Sequence, residues 1–355
     1  MTMLHRSTLH ALALAAVLIS AAAEEPSVET VDAAGRQPRA AIMADQSIAV
    51  VFGRGEDIVV RVRDHDAAGF GDARVVARVP GLMVGMRRGP QLAVLGDALL
   101  VGAIGSAGDL LSWVSTDRGV SWSSAQPVSD TPKAAREGLF SLAGDGEGGA
   151  VAVWLDLRHG KTRVYAARRQ PQGSRWSANS EVYRSPDGSV CECCQPTVAA
   201  DGKRIAVMWR NHIGGARDMY VAASQDAGRS FSPAAKVGSG SWKLDACPMD
   251  GGGISLASTS VETIWRRDAA VIGAVAGKAA ETAHGNGRNA AIASGGTDVH
   301  RAWEADGQIV VQRNADAAKP LGGGAYPHLA AARGEGPCVV VWERDGAIVA
   351  SVMAR

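Results

Sequence analysis

The sequence predicts an all-β fold, a β-propeller of four-stranded blades, with seven blades favoured and six as the alternative. Three observations predict it. A short strand ending in an aromatic residue recurs about every 47 residues, within the ~40–50-residue spacing of four-stranded blades. Glycine supplies 43 of 355 residues, about 12% against a usual ~7%, and without a collagen period that excess means many turns. Apolar residues alternate or run unbroken over four to six positions, with almost no 3.6-residue period.

In chain order, the first element is an export signal. Residues 1–23 have a weakly basic start (His5, Arg6), an apolar run from Leu9 to Ile19, and Ala21-Ala22-Ala23 before Glu24. These are the parts of a cleavable secretory signal. The run is shorter than the ~20 residues of a membrane span, although an uncleaved anchor is the competing reading. No Cys follows it for lipid attachment. A single propeller domain over 24–355 is expected, periplasmic or secreted, where disulfides are permitted. Lys+Arg 37 against Asp+Glu 36 gives +1, and loss of Arg6 with the signal leaves a neutral chain. That balance argues against a nucleic-acid binder or a basic membrane-surface protein.

The second strands of the units end at Phe52, Trp154, Trp209, Trp265, Trp303 and Trp342, with a degenerate copy around Ile104. The first strands begin near Arg39, Gln91, Leu139, Thr197, Ile254, Asn289 and His328. The last unit shows only three strands. Ser27 to Val31 reads as the missing fourth, which would close the ring with the start of the chain.

A second repeat is superimposed. Residues 115–122 (STDRGVSW) and 224–231 (SQDAGRSF) share S-x-D-x-G-x-x-(W/F), and 169–176 keep only the Gly and the Trp. The Asp accepts from backbone N–H groups, the Gly takes positive φ, and the aromatic packs beneath the hairpin. The expected place is the turn between third and fourth strands, and the expected role is structural.

These are Asp boxes. With the strand repeat, the chain resembles the sialidase (neuraminidase, BNR-repeat) superfamily of propellers. The resemblance implies a possible exo-α-sialidase site: an Arg-Ile-Pro motif, three arginines gripping a carboxylate, a Tyr nucleophile paired with Glu, and an Asp acid/base. Here the first blade opens Gln37-Pro38-Arg39-Ala40-Ala41, so Arg-Ile-Pro is absent. Arg39, Arg210 and Arg267 are the grips the resemblance implies, with Tyr326 as nucleophile.

The distinctive feature is thiol-rich. Cys191-Glu-Cys193-Cys194-Gln-Pro196 precedes the first strand of blade four, and Cys247-Pro-Met249-Asp250 precedes that of blade five. Both loops feed innermost strands, so four thiols are expected at one side of the channel mouth. Two readings stand. One is disulfide stapling between and within the loops. The other is a soft-metal or redox site for copper or zinc, with the Met249 thioether suiting Cu(I). Cys338 lies in an apolar run and reads as an inert buried thiol.

The loops on the same face carry further polar residues: Arg136 and Glu137 before blade three, Asp156 and Arg158 after Trp154, Arg210 and His212 after the Trp of blade four, and Asp250 before blade five. As a set they suggest binding of a small anionic ligand or a metal-linked one. His159 and His212 are open to two roles, completing a Cys/His coordination sphere or capping turns. Three functions are carried forward: a non-glycosidase binding protein with a thiol-rich site, an exo-sialidase, and a protein-interaction platform showing a broad apolar patch.

Overall fold

The computed structural model describes residues 27–353, and the expected signal at 1–23 lies outside them. Every regular element among the described residues is a β-strand. No helix there is long and apolar enough to cross a membrane.

Twenty-eight strands form seven antiparallel sheets of four. Blade one comprises Arg36–Ile42, Ile48–Arg54, Asp57–Arg63 and Arg74–Arg78; blade two Gln91–Leu95, Ala98–Ile104, Leu110–Ser115 and Gln126–Pro127. Blade three comprises Phe140–Gly144, Ala150–Asp156, Arg163–Arg169 and Ser180–Tyr183; blade four Thr197–Asp201, Arg204–Arg210, Met219–Ser224 and Ala235–Lys236. Blade five comprises Gly253–Leu256, Val261–Arg267, Ala270–Val275 and Thr282–Asn286; blade six Arg288–Gly295, Asp298–Ala305, Gln308–Arg313 and Lys319–Gly323. Blade seven takes Ala325–Ala331, Cys338–Arg344 and Ala347–Met353 from the end of the chain and Val28–Asp32 from its start. The first strand of each blade contacts the first strands of its two neighbours, so these seven line the axis.

Seven hydrophobic clusters occupy the seven seams between neighbouring blades. The alternation of each second strand divides its side chains between two seams. In blade three, Ala150, Ala152 and Trp154 face blade two, while Val151, Val153 and Leu155 face blade four. The terminal aromatic always enters the seam with the preceding blade: Phe52, Trp154, Trp209, Trp265, Trp303 and Trp342 are all buried there. In blade two Ala103 takes that place, and the third-strand Trp113 supplies the ring instead. This substitution is why the second repeat reads as degenerate.

Both Asp boxes lie between third and fourth strands, as expected. Ser115 Oγ donates to Asp117 Oδ1 at 2.8 Å and accepts from Gly119 N at 2.7 Å, while Ser121 N donates to the same Asp117 oxygen at 2.9 Å. The second box repeats the pattern around Asp226. Gly119 has φ 84°, which an L side chain rarely adopts. Trp122 and Phe231 pack against their seams.

The opposite end of the channel is crossed by Arg333, from the loop of blade seven between Ala331 and Cys338. Its guanidinium reaches Gly144 O at 2.6 Å and Ala200 O at 2.9 Å, on blades three and four.

Two outcomes follow. Deleting residues 28–32 strips the edge of Ala347–Met353 and should lower the thermal midpoint by roughly 10 °C or more; an unchanged midpoint would refute closure by this strand. Hydrogen bonds from the Ser121 hydroxyl and amide, then Ser115, hold the exposed Asp117 carboxyl down at about 2. A depressed folded-state value stabilises above the unfolded pKa of ~3.9 and stops doing so as pH falls through the folded value. The melting difference between wild type and Asp117→Ala should therefore be full above pH ~5 and narrow towards pH ~2.

Candidate functional site

The loop entering blade four makes a turn at Glu192-Cys193. Glu192 faces solvent, while Cys191, Cys193 and Cys194 turn inward and are buried. The loop is anchored at its start by Cys191 N donating to Arg210 O at 3.0 Å. At its end Gln195 Nε2 donates to Phe140 O at 2.6 Å. Gly251 of the next loop lies against it, and a Cβ there would come 2.5 Å from Gln195 O. The three sulfurs form a triangle with sides of 3.5, 3.6 and 4.0 Å. Met249 packs against them, and its backbone N–H points to Cys193 Sγ.

All five cysteines are free. The expected convergence of four thiols is corrected to three. Pro248 and Asp250 are buried while Cys247 stays exposed; it lies near enough to act on the Arg217 charge, but outside the sulfur triangle. No staple between the two loops is formed. Cys338 is buried in the seam between blades six and seven.

The cluster sits in a cationic surround. Arg217 Nη1 donates to Cys191 Sγ at 3.1 Å and Arg217 Nε to Leu244 O at 3.1 Å. The charge of Arg210 acts on Cys194, and Cys194 on Arg87. Even so the protonated forms dominate. Contact with Cys193, then burial, takes the Cys191 thiol up to about 11, and burial takes Cys194 up to about 12. Cys193 is raised as well.

The remaining sequence-selected residues fall into separate groups. Arg210 is buried and donates to three backbone carbonyls: Asp250 O at 3.2 and 3.1 Å, Arg217 O at 2.7 Å and Arg266 O at 3.0 Å. Its guanidinium lies 5.2 Å from the Trp242 ring centroid. Arg267 makes a two-pronged pair with Glu281 at 2.9 and 2.6 Å. Both guanidiniums are engaged, so the carboxylate grip of Arg39, Arg210 and Arg267 does not assemble. Arg39 and Tyr326 do line one cavity, described below.

Buried Asp156 and half-buried Arg158 form a structural knot. Asp156 accepts from Trp154 Nε1 at 2.7 Å and from Arg158 Nε at 2.9 Å, and Arg158 continues to Asp130 and Asn179 at 2.8 Å each. Arg136 is exposed. Glu137 is half-buried, and burial with the nearby Glu192 raises its carboxyl. His159 Nε2 meets Tyr165 Oη at 3.0 Å, and His212 is half-buried beside Asn211. Neither histidine joins the thiols: among the described residues, the metal-capable group is Cys191, Cys193 and Cys194. Asp250 is buried, 3.8 Å from Arg87 and 3.6 Å from Arg266.

Arg217 and Arg87 fall in loops that the sequence assigns to this face, but nothing in the sequence ranks them above the other arginines there. Gln195 is adjacent to Cys194, and that adjacency was its only signal.

With Ellman's reagent at pH 8 the native protein should show one fast thiol, lost in Cys247→Ser. The clustered thiols stay neutral at that pH and should react only slowly or after unfolding. Two or more fast thiols would contradict the burial described.

No protein-family model and no curated protein sequence matches the chain. Its architecture is similar to that of solved propellers. The Hadza microbial sialidase Hz136 aligns at 11% identity and TM-score 0.54 over 90% of this chain, which spans 66% of that protein. A protein of unknown function from Dyadobacter fermentans aligns at 15% identity and TM-score 0.53, covering 92% of this chain and 99% of its own. The fucose-binding Aleuria aurantia lectin aligns at 12% and TM-score 0.55, covering 84% and 98%. At these identities the likeness is one of fold, shared by a sialidase and a lectin alike.

Proposed function

We propose that the chain is an exported, non-hydrolytic binding propeller that holds one soft metal ion, Cu(I) in preference to Zn(II), on Cys191, Cys193 and Cys194. The observation that carries this reading is the sulfur triangle. Three thiolates about an ion at ~2.3 Å stand roughly 4 Å apart, and the observed sides are 3.5–4.0 Å. Binding requires little more than loss of the thiol protons, so it should release protons and strengthen with pH. Arg217, Arg210 and Arg87 supply positive charge against the negative excess of three thiolates.

The ligand count favours copper. Structural zinc wants four nitrogen, oxygen or thiolate donors, and Cys247 and both histidines stand apart. A thioether suits Cu(I), and Met249 is the side chain packed on the cluster. The glycosidase reading lacks its three convergent arginines. The platform reading lacks its patch: the exposed large apolar side chains among the described residues are Val75, Met86 and Val120.

The test is titration of reduced, metal-free protein with Cu(I) against a chromogenic Cu(I) chelator, without oxygen. One equivalent should bind, with affinity falling at least 100-fold in Cys194→Ser and unchanged in Cys247→Ser. No Cu(I) retained against the chelator, or equal loss in Cys247→Ser, overturns the assignment. Turnover of a fluorogenic sialoside that vanishes in Tyr326→Phe would overturn the non-hydrolytic part.

A further inference from the structure

Beneath the thiol loop, a cavity of about 180 Å³ lies on the propeller axis, and all seven first strands contribute to its wall. Two arginines line this space. Arg39 is 6% and Arg87 9% exposed, and most of their hydrogen bonds are long. Arg39 Nε donates to Gln91 Oε1 at 3.2 Å and Nη1 to Pro38 O at 2.9 Å, while Nη2 reaches Gln195 Oε1 only at 3.5 Å. Arg87 Nε reaches that same Gln195 oxygen at 3.4 Å, and its Nη1 reaches Ala290 O at 3.5 Å. One amide oxygen is thus shared by two guanidiniums.

The carboxylates at hand pair with them only at long range. Asp250 stands 3.8 Å from Arg87 and is divided with Arg266 at 3.6 Å and with the Asn289 N–H at 3.1 Å. Glu343 accepts from Gln37 N and Nε2 at 2.7 and 2.9 Å and pairs with Arg36 at 3.3 Å. By contrast, buried Arg210 is satisfied by short bonds to three backbone carbonyls, and half-buried Arg267 by a two-pronged pair with Glu281. Buried like charges without such partners are costly.

The rest of the wall supplies donors. His328 Nδ1 accepts from Ala40 N at 3.2 Å, so the neutral ring carries its proton on Nε2. Tyr326 brings a hydroxyl to the same cavity. The geometry points to a binding site for one small oxyanion on the axis, held between Arg39 and Arg87 in place of their long contacts to Gln195 Oε1 and oriented by His328. The volume is below the ~300 Å³ of ordinary small-molecule pockets, so the ligand is a carboxylate- or sulfate-sized anion rather than a sugar. The site does not use Arg210 or Arg267. It is distinct from the thiol triangle, which adjoins it through the Cys194-Gln195 peptide.

The experiment measures binding of sodium sulfate and, separately, sodium acetate to the purified protein by calorimetry at fixed ionic strength in chloride. Saturable one-to-one binding of either anion is expected, weakened at least tenfold in Arg87→Gln and in Arg39→Lys, which keeps the charge but loses the fork. Arg333→Gln, at the far end of the channel, should bind as wild type. Cys194→Ser should also retain the anion, which separates this site from metal binding. If the buried variants do not fold, the wild-type thermal midpoint decides: it should rise and saturate with added sulfate as one-site linkage requires. No saturable response to either anion, or wild-type affinity in both folded arginine variants, overturns the proposal.

Discussion

Everything in this molecule is held in place by seams between blades, each filled from both sides by the alternating side chains of neighbouring sheets. A four-stranded sheet with two apolar faces cannot stand in water alone, and here each face is covered by the next blade around. Because the array is circular, the last seam joins the two ends of the chain, and here one sheet is shared between them. The pairing of Val28–Asp32 with Ala347–Met353 does this. Ring closure then fixes where the loops lie. The segments that lead into the first strands gather at one mouth of the channel, however far apart they are in sequence.

That mouth is built mainly from arginine. Arg210 ties backbone carbonyls of the loops between blades four and five, and Arg158 joins the knot around Asp156. Arg217 touches the thiol cluster, and Arg39 and Arg87 face the axis. The same residue type thus performs three jobs, separated by what each guanidinium meets. Carbonyls and carboxylates satisfy the structural ones. A sulfur and a half-shared amide oxygen leave the others with unspent donor capacity, and the two proposals rest on this difference.

The thiols and the axial cavity illustrate why neighbours in space were hard to assign from the chain. The spacing of Cys191, Cys193 and Cys194 suggested a cluster, because a tight turn brings such close residues together on any fold. Cys247 had no such guarantee: its loop arrives at the right mouth and near Arg217, yet the thiol stays exposed and outside the triangle. The arginine grip failed for a related reason. Arg210 and Arg267 occupy corresponding ends of second strands, but local partners within hydrogen-bond reach engage them before any ligand can.

The sequence by itself determined the propeller, the strand that closes it and the structural role of the Asp boxes, and favoured seven blades over six. These are encoded in periodicity and turn chemistry that repeat and so reinforce one another. The degenerate second strand around Ile104 was legible only by its place in the series, since Ala103 stands where the other blades put an aromatic. Only the tertiary structure decided which of 30 arginines face the axis, which thiol is left out, and that Gln195 links two sites. The reason is physical: side-chain direction at a channel mouth depends on single loop dihedrals and on cross-blade partners, and neither leaves a periodic trace in the chain.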